Sequence, residues 1–224
     1  SNIEQSAEGK LLVGTENGLL ISTDNTFNSY EIVDFTGLLD TDRVVTSIDV
    51  ASNGKISVTN ENYLYTSDDE GETFDAIDLG LTLGLIGSIK WDSQGNVYLG
   101  TNSNGLFKSS NNGLTFTKLS GALNNENILN IETQGSRLFV QTDNSVMVSE
   151  NGGTTFENLT EEFSISSVTS LKIASNNRIE ILSDKGIFTS EDGGETFTKE
   201  ELMINIGTMT DISSNNSGEF ILST

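Results

Sequence analysis

The chain has 224 residues, with 33 Asp and Glu against 11 Lys and Arg, a formal net charge of −22, and no His, Cys or Pro. Without His or Cys it lacks the usual zinc, haem and iron–sulfur ligand sets, any disulfide, and any Ser-His or Cys-His nucleophile pair. The charge repels phosphate backbones and anionic lipid, and no apolar run approaches the roughly 18 residues that span a bilayer, so nucleic acid and membrane insertion are excluded as partners.

In chain order, residues 2–5 read as the tail of a strand, Gly9 as a turn, and Glu16-Asn17-Gly18 as a hairpin turn. Residues 23–30, ending in Tyr30, are a worn copy of a motif that recurs: Ser or Thr, two or three polar or acidic residues, Gly, then Thr-Phe. The second stretch is the clearest. Alternating β-branched and aromatic runs at 45–50, 56–58, 63–66 and 73–77, separated by Gly, Asn, Asp and Ser, predict four short antiparallel strands, A to D. The motif at 67–74 forms the C–D turn, and further copies stand at 109–116, 149–156 and 190–197. The closing aromatics Tyr30, Phe74, Phe116, Phe156 and Phe197 are 44, 42, 40 and 41 residues apart. After the fifth copy, 208–213 predicts a sixth strand A and 219–222 a sixth strand B, where the chain stops.

A four-stranded unit of about 42 residues, repeated, predicts an all-β fold, a β-propeller of four-stranded antiparallel blades. It is read as one domain over 1–224, with repeats near 1–42, 43–84, 85–126, 127–164 and 165–206 and a partial sixth at 207–224. Five periods account for about 210 residues and six would need about 252. That remainder favours a ring completed by further sequence or by a partner chain over five-bladed closure. Self-association through the incomplete terminal blade is therefore expected, since an open edge invites pairing.

Each motif carries one Asn or Asp, namely Asn25, Asp69, Asn111, Asn151 and Asp192. Its side chain is expected to accept hydrogen bonds from amides two or three residues on, with the next Gly at positive φ and the closing aromatic packed inward. These copies resemble the Asp-box (BNR) repeats of sialidase-like and sortilin-like β-propellers, pattern S-x-D-x-G-x-T-[W/F], over nearly the whole chain. Four copies are good, all with Phe where Trp is commoner, and the first lacks the Gly. The resemblance implies that the box is a structural turn and not itself catalytic.

Sialidases grip the substrate carboxylate with three arginines and use a Tyr/Glu nucleophile pair with an Asp acid/base. This chain has only Arg43, Arg137 and Arg178, the first in a D–A connection and the others at A–B turns, which open on opposite faces. No catalytic residue is assigned. A glycoside hydrolase using two carboxylates is the enzymatic alternative. Binding candidates come from the B–C turns, Glu16, Asn17, Glu61, Asn62, Asn102, Asn104, Asp143, Asn144 and Asp184, whose amides and carboxylates suit sugar hydroxyls or weakly held Ca²⁺; no resident metal or cofactor is expected. The apolar connection 79–86 would cap the core or present a patch to a protein. Alternation places Ile48/Val50, Ile89/Trp91, Leu129/Ile131 and Leu171/Ile173 between blades, and Asp49, Lys90, Asn130, Lys172 and Ser213 on a solvated channel. Glu161-Glu162 and Glu200-Glu201 read as solvated faces.

The functional expectation is a non-enzymatic binding or scaffold propeller, extracellular or at the cell surface, whose ligand is protein or carbohydrate. A structural assembly subunit completed by a partner chain or an adjoining domain is the other non-enzymatic alternative. No signal-like segment is expected within this chain, since an exported protein would already have had one removed.

Overall fold

The computed structural model describes residues 2–23, 28–33, 35, 43–80, 85–119, 121–174, 176–200, 209–214 and 220–223. Alternating apolar runs too short for helices, punctuated by Gly, Asn, Asp and Ser, fold as strands; among the described residues the one other regular element is a 3-10 turn, Glu161–Phe163.

Five meanders of four strands follow one another. Sheet 1 holds β1 (Ile3–Gln5), β2 (Leu11–Thr15), β3 (Gly18–Ser22) and β4 (Tyr30–Val33). Sheet 2 holds β5 (Ser47–Val50), β6 (Ile56–Thr59), β7 (Tyr63–Ser67) and β8 (Asp75–Asp78). Sheet 3 holds β9 (Ile86–Trp91), β10 (Val97–Thr101), β11 (Leu106–Ser109) and β12 (Thr117–Lys118). Sheet 4 holds β13 (Asn130–Gln134), β14 (Arg137–Gln141), β15 (Val146–Ser149) and β16 (Glu157–Asn158). Sheet 5 holds β17 (Val168–Ile173), β18 (Ile179–Ser183), β19 (Gly186–Ser190) and β20 (Thr198–Lys199), and a final pair joins β21 (Asp211–Ser214) to β22 (Phe220–Ser223). Neighbours pair antiparallel, as short connections between successive strands require. The fourth strand of sheet 2 begins at Asp75 and not at Thr73, because Thr73 is held in the preceding turn by Asp69.

The chain divides into two compact units, Ser1–Ile131 and Glu132–Thr224, with β13 spanning the division. In the first unit, Leu12, Leu19, Ile48, Ile56, Val58 and Tyr65 form one cluster, and Leu64, Ile89, Trp91, Val97, Leu99 and Phe107 another. Sheets 2 and 3 are tied along their first strands. Ser47 Oγ accepts from the Ile89 amide at 3.3 Å, and Asp49 Oδ2 from the Trp91 amide at 2.7 Å. The Trp91 indole donates to Ser57 Oγ at 2.9 Å, so this ring is core, as expected. Asp49 departs from its expected place on a solvated channel. It is only 3% exposed, because the Trp91 amide needs an acceptor, and the Lys90 ammonium 2.9 Å away balances its charge. Leu129 is likewise displaced. Strand β13 starts one residue later, at Asn130, so Leu129 stays exposed while Ile128 and Ile131 take the buried places.

In the second unit Phe139, Val146, Leu171, Ile179, Ile181 and Phe188 form the core, and Leu182, Ile187 and Ile212 a smaller cluster. Ser170 Oγ donates to Asp211 Oδ1 at 2.6 Å, repeating between sheet 5 and the final pair the first-strand tie seen in the first unit. Lys172 is half-buried; the Ser213 side chain, residues 81–84 of the apolar connection, Glu201 and residues 215–219 lie outside the described residues.

Candidate functional site

The four recurring turns share one hydrogen-bond set. In the first, Ser67 Oγ donates to Asp69 Oδ1 at 2.7 Å and accepts from the Gly71 amide at 2.9 Å; the Thr73 amide donates to Asp69 Oδ1 at 2.9 Å. Ser109/Asn111/Gly113/Thr115, Ser149/Asn151/Gly153/Thr155 and Ser190/Asp192/Gly194/Thr196 repeat it. The amide that reaches the Asx side chain is thus four residues on, not two or three; the Gly amide two residues on goes to the Ser hydroxyl. Two successive left-handed residues curl the chain this way: Glu70 (φ 60°) and Gly71 (86°), Asn112 (59°) and Gly113 (83°), then Gly152-Gly153 and Gly193-Gly194. The Gly is also where the neighbouring sheet intrudes. A Cβ on Gly71 would overlap Ile21 Cδ1 of sheet 1, and one on Gly113 would lie 2.7 Å from Leu64 of sheet 2. Phe74, Phe116 and Phe197 pack against the buried clusters and Phe156 is half-buried, whereas Tyr30 is 52% exposed on β4. Asn25 lies outside the described residues.

The Thr hydroxyl adapts to its partner. It donates to Asp69 and Asp192 (2.5 Å each), but accepts from the amides of Asn111 and Asn151 (2.8 and 2.9 Å). The Thr73 hydroxyl and amide and the Ser67 hydroxyl hold the Asp69 carboxyl down at about 2, from an ordinary 3.8, and Asp192 is lowered by the same groups. A carboxyl depressed in the folded state stabilises above its unfolded value, and that contribution disappears as pH falls from about 3.8 through about 2. The double substitution Asp69→Asn/Asp192→Asn keeps every Oδ1 bond. It is therefore expected to lose less stability than the wild type between pH 4 and pH 2, read as the difference between their urea midpoints across that window.

Glu70 holds a left-handed backbone without glycine's freedom, and its Oε2 is buried without a hydrogen-bond partner. Glu70→Gly is expected to raise stability by up to about 1 kcal/mol, seen as a higher melting temperature.

The nine hairpin-turn candidates fall in both units. Glu16, Asn17, Glu61 and Asn102 are exposed in the first unit, with Asn62 and Asn104 half-buried; Asp143, Asn144 and Asp184 are exposed in the second. Several already have structural partners. Asn104 Oδ1 accepts from Lys118 Nζ at 2.8 Å, and the Asn62 carbonyl from the Leu79 amide at 3.0 Å. Asp184 Oδ1 accepts from the Ser166 and Ser167 amides, 2.8 and 3.2 Å. With Lys185 beside it, those amides hold its carboxyl at about 2, the Ser166 amide contributing most. Among the described residues, no group of three or more Asp or Glu could hold a metal ion.

Two of the three arginines are committed to internal acids. Arg137 Nε lies 2.7 Å from Glu150, and its Nη1 donates to the Gly193 carbonyl at 2.6 Å. Arg178 is almost buried between Glu180, Glu191 and Glu200, at 3.7, 3.6 and 3.2 Å. The carboxyls of Asp69, Asp184 and Asp192 are held below the ordinary carboxylate range, which is the wrong direction for any of these three to act as a general acid. Burial and the Asp92 carboxylate push the Tyr98 phenol up, but it donates to Asp92 at 3.2 Å inside sheet 3.

A recess of about 880 Å³ opens in the second unit between sheets 4 and 5. Phe163, on the 3-10 turn, lies flat on Phe188 of β19 (centroids 4.4 Å, 9°) and edge-on to Phe197 of the fourth motif (5.0 Å, 68°). Leu159 completes the apolar lining; Glu161, Glu162 and Glu195 bring carboxylates to it, and Lys185 and Lys199 ammoniums. A smaller recess of about 480 Å³, sharing Leu159, Gly194 and Glu195, adds Glu150, Glu157 and Asp192 beside Arg137. Sequence reasoning placed Phe197 in a structural turn and Glu161-Glu162 on a solvated face, and missed the groove they make with Phe163 and Phe188. The signal lay in comparing repeats. Sheets 1 and 2 hold the same triad, Phe35 stacked on Tyr65 (4.2 Å) and edge-on to Phe74 (5.3 Å), but there Phe35 and Tyr65 are sealed at 2% and 0% exposure.

No protein-family model matches the chain, and no curated protein does. Solved structures do. The chain is similar to YCF48 bound to D1 peptide (18% identity over 99% of this chain and 75% of that one, TM-score 0.74) and to a streptogramin B lyase (17%, 99% and 75%, 0.78). It is also similar to the extracellular domain assigned to the hybrid two-component system BT3049 of B. thetaiotaomicron (14%, 99% and 32%, 0.76), about a third of whose length it spans. At these identities the likeness concerns the backbone, and the fold of this chain is that of a β-propeller.

Proposed function

We propose that this chain is a non-catalytic binding and scaffold propeller of an extracellular or cell-surface protein, one domain over 1–224 built of five Asp-box repeats and a partial sixth. Its ligand is a protein or a carbohydrate. The observation that carries this reading is the recess between sheets 4 and 5: a built aromatic cleft of ligand size, whose carboxylates lie exposed on a 3-10 turn and a motif turn. In support, the four motif turns share one hydrogen-bond set, as copies of a single structural turn would. Two of the similar propellers bear on the reading, one bound to a peptide and one an extracellular domain. Weak Ca²⁺ binding at the hairpin turns belongs to the same proposal.

The test is a combined glycan and peptide array, with mass spectrometry of every bound ligand. Capture without turnover is expected. Turnover of a bound oligosaccharide would instead establish the carboxylate-dependent glycoside hydrolase reading, and no capture of either class would remove the binding role. One observation favours a second reading, an assembly subunit completed by a partner chain or adjoining domain. Among the described residues β22 pairs on one side only, with β21. Light scattering after size exclusion tests completion by a second copy, and a well-folded monomer rules that out.

A further inference from the structure

One difference between the surroundings of the two aromatic triads lies two places before the central ring, Tyr65 in one and Phe188 in the other. Aligning the motifs places Tyr63, which opens β7, opposite Gly186, which opens β19. Tyr63 leans on Tyr65 with ring centroids 6.1 Å apart and so adds a fourth ring to the first triad. Gly186 offers no ring to Phe188, and the second triad faces the 880 Å³ recess. A fourth aromatic ring is the group that this chain itself uses to finish such a cluster.

The charges bordering the recess select among the molecules that could bring one. Glu161, Glu162 and Glu195 stand against Lys185 and Lys199, and Lys185 already lies 3.1 Å from Asp184. The adjoining recess adds Glu157 and Asp192, and its one cation, Arg137, is taken by Glu150. The groove is thus net acidic on a chain of charge −22. Neutral and acidic sugars carry no cation to meet it, and the rings lie stacked on one another instead of side by side as a flat sugar platform.

We propose that this groove docks a segment of a partner protein, which inserts one aromatic side chain beside Phe188 and sets a lysine or arginine against Glu161, Glu162 and Glu195. The inference rests on the binding reading above and names its partner. The partner's aromatic residue supplies the ring that Tyr63 provides in the other triad, and its cation meets carboxylates that have no ammonium or guanidinium of their own among the described ion pairs.

The experiment measures binding of fluorescent peptides to the full chain by anisotropy, comparing Arg-Tyr-Arg, Glu-Tyr-Glu and Arg-Ser-Arg cores, with an oligosaccharide as competitor. The Arg-Tyr-Arg peptide is expected to bind about tenfold tighter than either relative, and to lose about tenfold in the rim reversal Glu161→Lys/Glu162→Lys. Glu8→Lys/Glu126→Lys, the same charge change on exposed residues of the other unit, is expected to leave binding within about twofold. Gly186→Tyr, which plants the missing ring, is expected to abolish binding. It carries backbone strain at φ 115°, so its fold is checked by circular dichroism, and the rim reversal stands independently of it. Equal binding of the three peptides, no binding of any, or a rim reversal no worse than its control overturns this site. The binding reading survives those results if the array captures another ligand, and falls with this proposal if the array captures none.

Discussion

Replacing Gly105 by alanine is expected to destabilise the protein by about 3 kcal/mol or more, lowering the urea midpoint by roughly 1 M. Gly105 closes a hairpin turn that reads from the sequence as a binding element, at φ 78°. A Cβ there would overlap the backbone carbonyl oxygen of Leu123, with the Asn125 amide 3.3 Å away. Backbone cannot rotate aside as a side chain can. The turn is further held by Gly105 N to Glu126 O and Thr101 N to Gly105 O, both 3.1 Å, so relieving the overlap disturbs these bonds too. Gly95→Ala separates the two contributions. Gly95 has nearly the same φ, 82°, with nothing within 4 Å of a new Cβ, so its cost is the left-handed backbone alone, about 1 kcal/mol. Equal midpoints for the two variants would refute the steric argument.

Arg178→Met is expected to cost about 3–5 kcal/mol, and adding Glu180→Leu is expected to restore most of it. Glu180 is fully buried in β18, neither carboxylate oxygen has a hydrogen bond, and its one described ion partner is Arg178 at 3.7 Å. Without the guanidinium a buried negative charge has nothing to offset its lost hydration. The single change Glu180→Leu should be neutral or stabilising, because Arg178 keeps Glu191 and Glu200. A double-mutant cycle by chemical denaturation reads the coupling directly. If the double variant is as unstable as Arg178→Met, the penalty lies in lost arginine packing and not in the stranded carboxylate.

The repeat was legible because each motif turn is local. Ser67, Asp69, Gly71 and Thr73 make their bonds within seven residues of chain, so composition and spacing carry the information, and the strands between the turns follow from alternation. Even there the positive φ of Glu70 was not readable, since Glu, unlike the Asn112 that takes the same place in the next motif, is not a residue type that favours it. The pairing of Arg137 with Glu150, and of Arg178 with Glu180, Glu191 and Glu200, was not legible, because it depends on which side chains the folded strands bring together.

What escaped the sequence depends on contacts between sheets. Asp49 reads as a solvated charge and is buried, because an amide some forty residues away in the next sheet needs an acceptor. Phe197 reads as the closing aromatic of a motif and Phe163 and Phe188 belong to no motif, yet the three meet in one groove between sheets 4 and 5. Composition and period alone determined that this is an acidic, antiparallel, repeating β protein without metal-thiol or histidine chemistry. Only tertiary packing decided which repeat is sealed and which is open, because that depends on volumes that successive sheets contribute to one shared space.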